Sequence, residues 1–274
     1  MRYLKPLIVA NEVFSENVIA ETVGGSKDSV LVIGGHSDSV FAGPGINDDG
    51  SGIIGLLEVA EQLTGYGVNN SVRLGFWAGE EFGLLGSYYY TENLTAEEAA
   101  KIRLYLNFDM IASPNYIYGI YDGDGSAFNQ SGPAGSAEAE AFFEDFFAAN
   151  DLNSVPTDFS GRSDYAGFLD RGIASGGLFT GAEVVKTEEE EALFGGEAGV
   201  AYDVNYHQAG DNVTNLALDA FEWNTKAIAA SVAEYATSFE SLGPANTTVT
   251  ANKKRSAVPK HKHNHEGGCG KKWE

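Results

Sequence analysis

Four consecutive apolar residues, Val30-Leu31-Val32-Ile33, run into Gly34-Gly35 and give the first strong strand signal. With no polar position left to face solvent, such a run suits a strand covered on both faces. Ahead of it, residues 17–23 alternate like an edge strand before a Gly24-Gly25 turn. Beyond it, Ile53, Leu56, Leu57, Ala60 and Leu63 recur at helical spacing, with Ser51 as the expected N-cap and Gly65 and Gly67 as the stop. Val72 to Trp77 predicts a second strand, and a short helix follows through Tyr88 to Tyr90. Thr95-Ala-Glu-Glu opens another helix as a capping box. Leu104 to Phe108 predicts a third strand, ending at Asp109, and Tyr116 to Tyr121 a fourth.

A loop rich in Gly, Ser and Ala runs from Asp122 to Ser136, before a helix over Ala137 to Ala149. The three-four spacing of its Phe142, Phe143, Phe146 and Phe147 marks a core face. Ile173 to Phe179 predicts a further strand, and Leu218 to Phe239 a long amphipathic helix. Between them, Thr180 to Asp203 reads as a solvated acidic loop, with Glu188 to Glu191 in a row. Strands alternating with helices predict one α/β domain over residues 1–242, in which 1–28 form an N-terminal edge segment. Its central sheet is expected to be mixed but mostly parallel, with helices on both faces, three layers in all. After Gly243 periodicity ends and the sequence turns basic, so 243–274 reads as a disordered basic tail whose His261, His263 and His265 could hold a metal only loosely.

Charge narrows the partners. The net charge is −22, and from Ser241 the tail takes seven of the seventeen basic residues, leaving ten bases against 37 acids in the body. Such a surface repels nucleic acid and attracts metal ions and protonated amines. No apolar run reaches the eighteen or so residues of a membrane helix, so no membrane association is expected. Cys269 is the single cysteine, so no intrachain disulfide forms. Asn69, Asn93, Asn129, Asn212 and Asn246 each begin an Asn-X-Ser/Thr triplet, which favours a glycosylated protein of the secretory pathway, secreted or vacuolar/lysosomal, although the N-terminus shows no signal peptide.

The candidate chemistry centres on residues 34–52, Gly-Gly-His-Ser-Asp-Ser-Val-Phe-Ala-Gly-Pro-Gly-Ile-Asn-Asp-Asp-Gly-Ser-Gly. An imidazole and several carboxylates on a tight loop at a strand end suit a divalent metal of the zinc type. The loop cannot close a site alone. Glu80-Glu81, Asp109 and His207 stand at other expected strand ends or loops, where functional groups of such sheets gather. Two histidines and three carboxylates converging there could hold two zinc ions, with one carboxylate bridging.

His36-Ser-Asp-Ser, Asn47-Asp-Asp-Gly-Ser-Gly, Glu80-Glu, Asn107-Phe-Asp-Met and Tyr206-His-Gln-Ala-Gly-Asp, in this order, resemble the motifs of the family-28 co-catalytic di-zinc aminopeptidases of clan MH, the bacterial leucyl aminopeptidase and aminopeptidase Y group. The resemblance runs from about Val30 to Tyr235. It implies the zinc-exopeptidase, phosphorylase/hydrolase-like fold, removal of N-terminal residues from peptides or proteins, and two Zn2+ ions, with His36 and Asp109 on one, Glu81 and His207 on the other, and Asp48 bridging. Glu80 would be general base and then acid for a hydroxide shared by the ions, with Asp38 supporting His36 from behind. Tyr206 would stabilise the oxyanion and Arg162 would seat the substrate terminus, unless Arg162 serves only a salt bridge with Asp164 or a neighbour. The resemblance also implies a cis Asp48-Asp49 bond, and a monomer is expected.

Other readings are separable. A phosphate loop at Gly43 to Gly52 lacks the Lys-Ser/Thr of a P-loop and carries two aspartates that repel phosphate. A glutaminyl-cyclase-like acyltransferase shares the fold, a carboxypeptidase would need Arg162 beside a substrate carboxylate, and a non-catalytic binding relative would have lost ligands that are all present here.

Overall fold

The structure, a computed structural model, describes residues 7–9 and 13–244. The tail expected from residue 243 therefore lies outside the described residues from 245 onward. The strands are β1 (Leu7–Val9), β2 (Val13–Ser15), β3 (Val18–Glu21), β4 (Ser26–His36), β5 (Asn70–Trp77), β6 (Ile102–Phe108), β7 (Gly119–Tyr121), β8 (Val155–Thr157) and β9 (Ser175–Phe179). The helices are α1 (Gly50–Leu63), α2 (Leu85–Asn93), α3 (Ala96–Lys101), α4 (Ser136–Ala149), α5 (Ala166–Asp170), α6 (Glu188–Phe194) and α7 (Leu218–Thr237).

Seven strands form one mixed sheet in the order β3-β5-β4-β6-β9-β7-β8, and β1 and β2 pair separately. The centre, β5-β4-β6-β9, is parallel throughout, while β3 and β7 join it antiparallel. Alternation along β4 explains the burial of its apolar run. Leu31 and Ile33 face one core with side chains of α1, α4 and α7, and Val30 and Val32 face the other with those of α2, α3 and α5. All four are at most 1% exposed. Leu106, on β6 in the first core, has no exposure, so Leu106→Ala should cost about 2–5 kcal/mol, read from the shift in a urea unfolding curve.

Two local expectations change, and two short elements were not foreseen. α1 is capped by Asp49, whose carboxylate accepts from Gly52 N; the Ser51 hydroxyl instead donates to Asn47 O at 2.6 Å and accepts from Ile111 N at 2.9 Å. The acidic run 188–191 is the first turn of α6, where a helix N-terminus favours negative charge, and Thr187 and Glu190 close a capping box that the sequence displays. The flanking segment is pinned by the buried Lys186, whose Nζ donates to Tyr116 O at 2.8 Å and Gly195 O at 2.7 Å. Finally, the short β8 and α5 carry too few residues to show a period of their own.

Candidate metal centre

Parallel register brings the chemistry to one edge. His36 lies opposite Trp77, and Gly34 opposite Asn107, so β4, β5 and β6 release His36, Glu80-Glu81 and Asp109 at the same end of the sheet. Asp49 ties the pieces together: its carboxylate accepts from the backbone N–H of His36, Gly52 and Met110, each at 3.0 Å. Those three donors occupy Asp49 and leave its neighbour Asp48, across a cis peptide bond, to face the site. The loop bearing His207 is clamped by Asp211, which accepts from Asn47 N at 2.8 Å and Asp48 N at 3.1 Å, and by Asp203, which accepts from Asn47 Nδ2 at 2.7 Å. Asp211 closes the quoted motif Tyr206-His-Gln-Ala-Gly-Asp but was given no role there, and Asp203 was not singled out, since a loop aspartate carries no signal of its partners. His207 itself has φ +58°, a left-handed backbone that costs a non-glycine residue about 1–3 kcal/mol and is retained where a side chain must be aimed.

The Asp48 carboxylate stands between the two imidazoles. Its Oδ1 is 3.0 Å from His36 Nε2, and its Oδ2 is 3.2 Å from His207 Nε2. Asp109 Oδ1 lies 3.5 Å from His36 Nε2, and Glu81 Oε2 lies 2.9 Å from His207 Nε2. All five expected ligands are thus brought together in two halves sharing Asp48. Two oxygens among them, Glu81 Oε1 and Asp109 Oδ1, are buried without a hydrogen-bond partner. Grouping by distance alone places Asp49 with His36 and Asp109, but the three N–H groups it accepts give its oxygens another use.

Charge follows geometry. Burial opposes protonation of His36, yet Asp109, Asp38 and Asp48 outweigh it and hold its pKa well above the usual histidine range. Burial likewise opposes charge on His207, but Asp48 and Glu81 push it up to about 9. Burial would raise Asp48, and the two histidines more than reverse this, lowering it. Burial pushes Glu80 well above an ordinary carboxylate, reinforced by Asp109, Asp164 and Asp48 and opposed by His36.

The supporting residues fall into place with two revisions. His36 Nδ1 faces the main-chain carbonyl of Asp38 at 3.0 Å, closer than the Asp38 carboxylate at 3.7 Å. A carbonyl only accepts, so Nδ1 carries a proton and Nε2 of the neutral ring is left with its lone pair available to a metal ion. The Asp38 carboxylate chiefly accepts from Glu80 N at 3.0 Å and Glu81 N at 3.3 Å, tying the two loops. Arg162 pairs with Glu183 at 2.8 Å rather than Asp164, and its Nη2 donates to the Tyr206 hydroxyl at 3.3 Å. Tyr206 stacks on His207 with centroids 3.8 Å apart. Asp164 is fully buried, pushed by that burial up to about 7, with the charges of Asp109 and Asp38 adding and the charge of His36 and the neighbouring Ser87 hydroxyl opposing.

The model of peptidase family M28 matches residues 17–232. The chain is 59% identical over 256 residues to the probable leucine aminopeptidase 2 of Aspergillus fumigatus, covering 93% of this chain and 51% of that protein. It is 55% identical over 254 residues to leucine aminopeptidase 2 of Trichophyton rubrum, covering 93% and 50%. It thus spans about half the length of the curated relatives it matches. Among solved structures, BSAP, a zinc aminopeptidase from Bacillus subtilis, superposes with a TM-score of 0.68 at 23% identity, over 87% of this chain and 53% of that one. Porphyromonas gingivalis glutaminyl cyclase does so with a TM-score of 0.66 at 14% identity, over 85% and 83%. The family match over most of the described domain and the ordered motifs at one sheet edge lead to one assignment: the chain belongs to peptidase family M28.

Proposed function

We propose that residues 1–242 are the catalytic domain of a zinc-dependent aminopeptidase that removes N-terminal residues from peptides or proteins. The observation that carries this reading is the Asp48 carboxylate set between His36 and His207, with Asp109 and Glu81 beside them. Two imidazoles, three carboxylates and two orphaned buried oxygens fit a pair of zinc ions, His36 and Asp109 holding one, Glu81 and His207 the other, and Asp48 both. When bound, the ions supply Lewis acidity to the scissile carbonyl and lower the pKa of the attacking water.

The chain's own groups do the rest. Glu80, adjacent to the ligand Glu81 and held by Asp38 through its backbone N–H, takes the proton of the attacking water and returns it to the leaving amine. Burial, which shifts its pKa upward, favours the proton-bearing form that gives the proton to the leaving amine. Because Arg162 donates to the Tyr206 oxygen, the Tyr206 proton remains available for the developing oxyanion. Arg162 thereby acts through Tyr206 as well as at the substrate terminus.

The test is product analysis on matched peptides. Release of a free N-terminal amino acid from an unblocked peptide, but not from its N-acetylated form, supports an aminopeptidase. Cyclised N-terminal glutamine would favour the acyltransferase, release of the C-terminal residue a carboxypeptidase, and no turnover a binding domain. Zinc affinity should also depend on pH. At pH 7 His207 is protonated in the metal-free protein, since its pKa lies at about 9, and a cation must displace that proton. Affinity should therefore rise between pH 7 and 9, with proton release visible when calorimetry is repeated in buffers of different ionisation enthalpy.

The acidic body and the sequons support a secreted or vacuolar monomer, and no described helix is long and apolar enough to cross a membrane. Asn69, Asn93 and Asn129 are exposed, so protein from a eukaryotic secretory host should lose mass on endoglycosidase treatment. An unchanged mass would remove this support.

A further inference from the structure

From the end of β5 to the Asp109 carboxylate runs an unbroken line of buried side-chain hydrogen bonds. Trp77 Nε1 lies 2.9 Å from the Tyr105 hydroxyl, which lies 2.8 Å from Asn107 Oδ1. Asn107 Nδ2 lies 2.8 Å from Ser163 Oγ, which in turn lies 2.5 Å from Asp109 Oδ2. Trp77, Tyr105 and Asn107 have no solvent exposure, and Ser163 is 5% exposed.

The direction of every proton follows from the first donor. An indole N–H can only donate, so the Tyr105 oxygen accepts and its own proton goes to the Asn107 carbonyl. That fixes the amide, whose NH2 then faces Ser163, and Ser163 is left to spend its proton on Asp109. With the amide reversed, its carbonyl would face Ser163 and compete with Asp109 for that proton. The line therefore holds Asp109 Oδ2, while Oδ1, buried and without a hydrogen-bond partner, stays 3.5 Å from His36 Nε2.

The sequence makes room for this line with glycine. A Cβ at Gly34 would stand 2.6 Å from Trp77 Nε1 and 3.0 Å from the Tyr105 hydroxyl, and one at Gly75 would collide with the indole ring. Phe168 stacks on Tyr105 with centroids 3.8 Å apart and planes 2° from parallel, which fixes the phenol from its other side.

We propose that Trp77, Tyr105 and Asn107 are positioning residues that act through Ser163 to orient Asp109, holding one carboxylate oxygen and presenting the other to a metal ion beside His36. This rests on the assignment of His36 and Asp109 as ligands. The experiment is calorimetric titration of the metal-free full chain with zinc alone. Tyr105→Phe should weaken one of two sites about 10- to 100-fold, the range for residues that support a ligand, and leave the other site unchanged. Tyr90→Phe is the matched control: Tyr90 packs 5.0 Å from Trp77, but its hydroxyl accepts from Arg73 at 2.7 Å, off the line. It should leave both sites unchanged. Ser163→Ala should reproduce the Tyr105→Phe defect and Ser163→Thr, which keeps a hydroxyl, should recover it; this pair decides the matter if Tyr105→Phe does not fold. Wild-type affinity at both sites in Tyr105→Phe, or equal weakening in Tyr90→Phe, overturns the proposal while leaving the ligands in place. Absence of zinc binding by the wild-type chain overturns the ligand assignment and this proposal with it.

Discussion

Glu80→Gln is expected to lower kcat on an aminoacyl-anilide by about 10²–10⁴-fold, the usual contribution of a positioned general base, with the zinc content unchanged. The substitution keeps the shape and the backbone N–H that Asp38 accepts at 3.0 Å, but removes the group that takes a proton. It also removes one charge from a crowded set, since Asp109, Asp164 and Asp48 all push the Glu80 pKa upward. Folding should therefore be no worse than in the wild type. Retained activity, measured beside metal content by mass spectrometry, would show that Glu80 is not the base. Loss of metal together with activity would make it a ligand instead.

Asp48→Asn should act differently, on metal first. The Asp48 side chain reaches both halves, with Oδ1 toward His36 and Oδ2 toward His207. An amide offers an acceptor to one side only and carries no charge, so one half loses its shared ligand. The loss of zinc affinity should exceed the about 10- to 100-fold typical of residues that merely support a ligand, and activity should fall with it. Equilibrium dialysis against buffered zinc gives the affinity directly. Full occupancy at wild-type affinity would mean that Asp48 is not shared.

Much of this arrangement was legible because periodicity and strand ends are local. The Val30 to Ile33 run read as a strand buried on both faces that delivers His36 at its end, as β4 does. The Thr95 capping box and the phenylalanines of α4 were equally readable. What stayed hidden depends on partners distant in sequence. Ser51 has the chemistry of a helix cap, but the fold gives its hydroxyl to Asn47 and Ile111 and leaves the cap to Asp49. Ser163 touches Asp109 across 54 positions, and Asp211 reaches the backbone of Asn47 across 164. Glu183, the partner of Arg162, lies in a segment that looked like solvated loop because its acids were read as a charge run rather than as the start of α6.

The shared centre itself is tested most directly by reconstitution. The full chain is stripped with a chelator, dialysed free of it, and titrated with zinc while hydrolysis of leucyl-anilide is followed. Activity should be absent from the stripped protein, return with zinc and saturate at two equivalents per chain. Stripped protein as active as the reloaded one would contradict the metal centre, and saturation at one equivalent would contradict its sharing by Asp48.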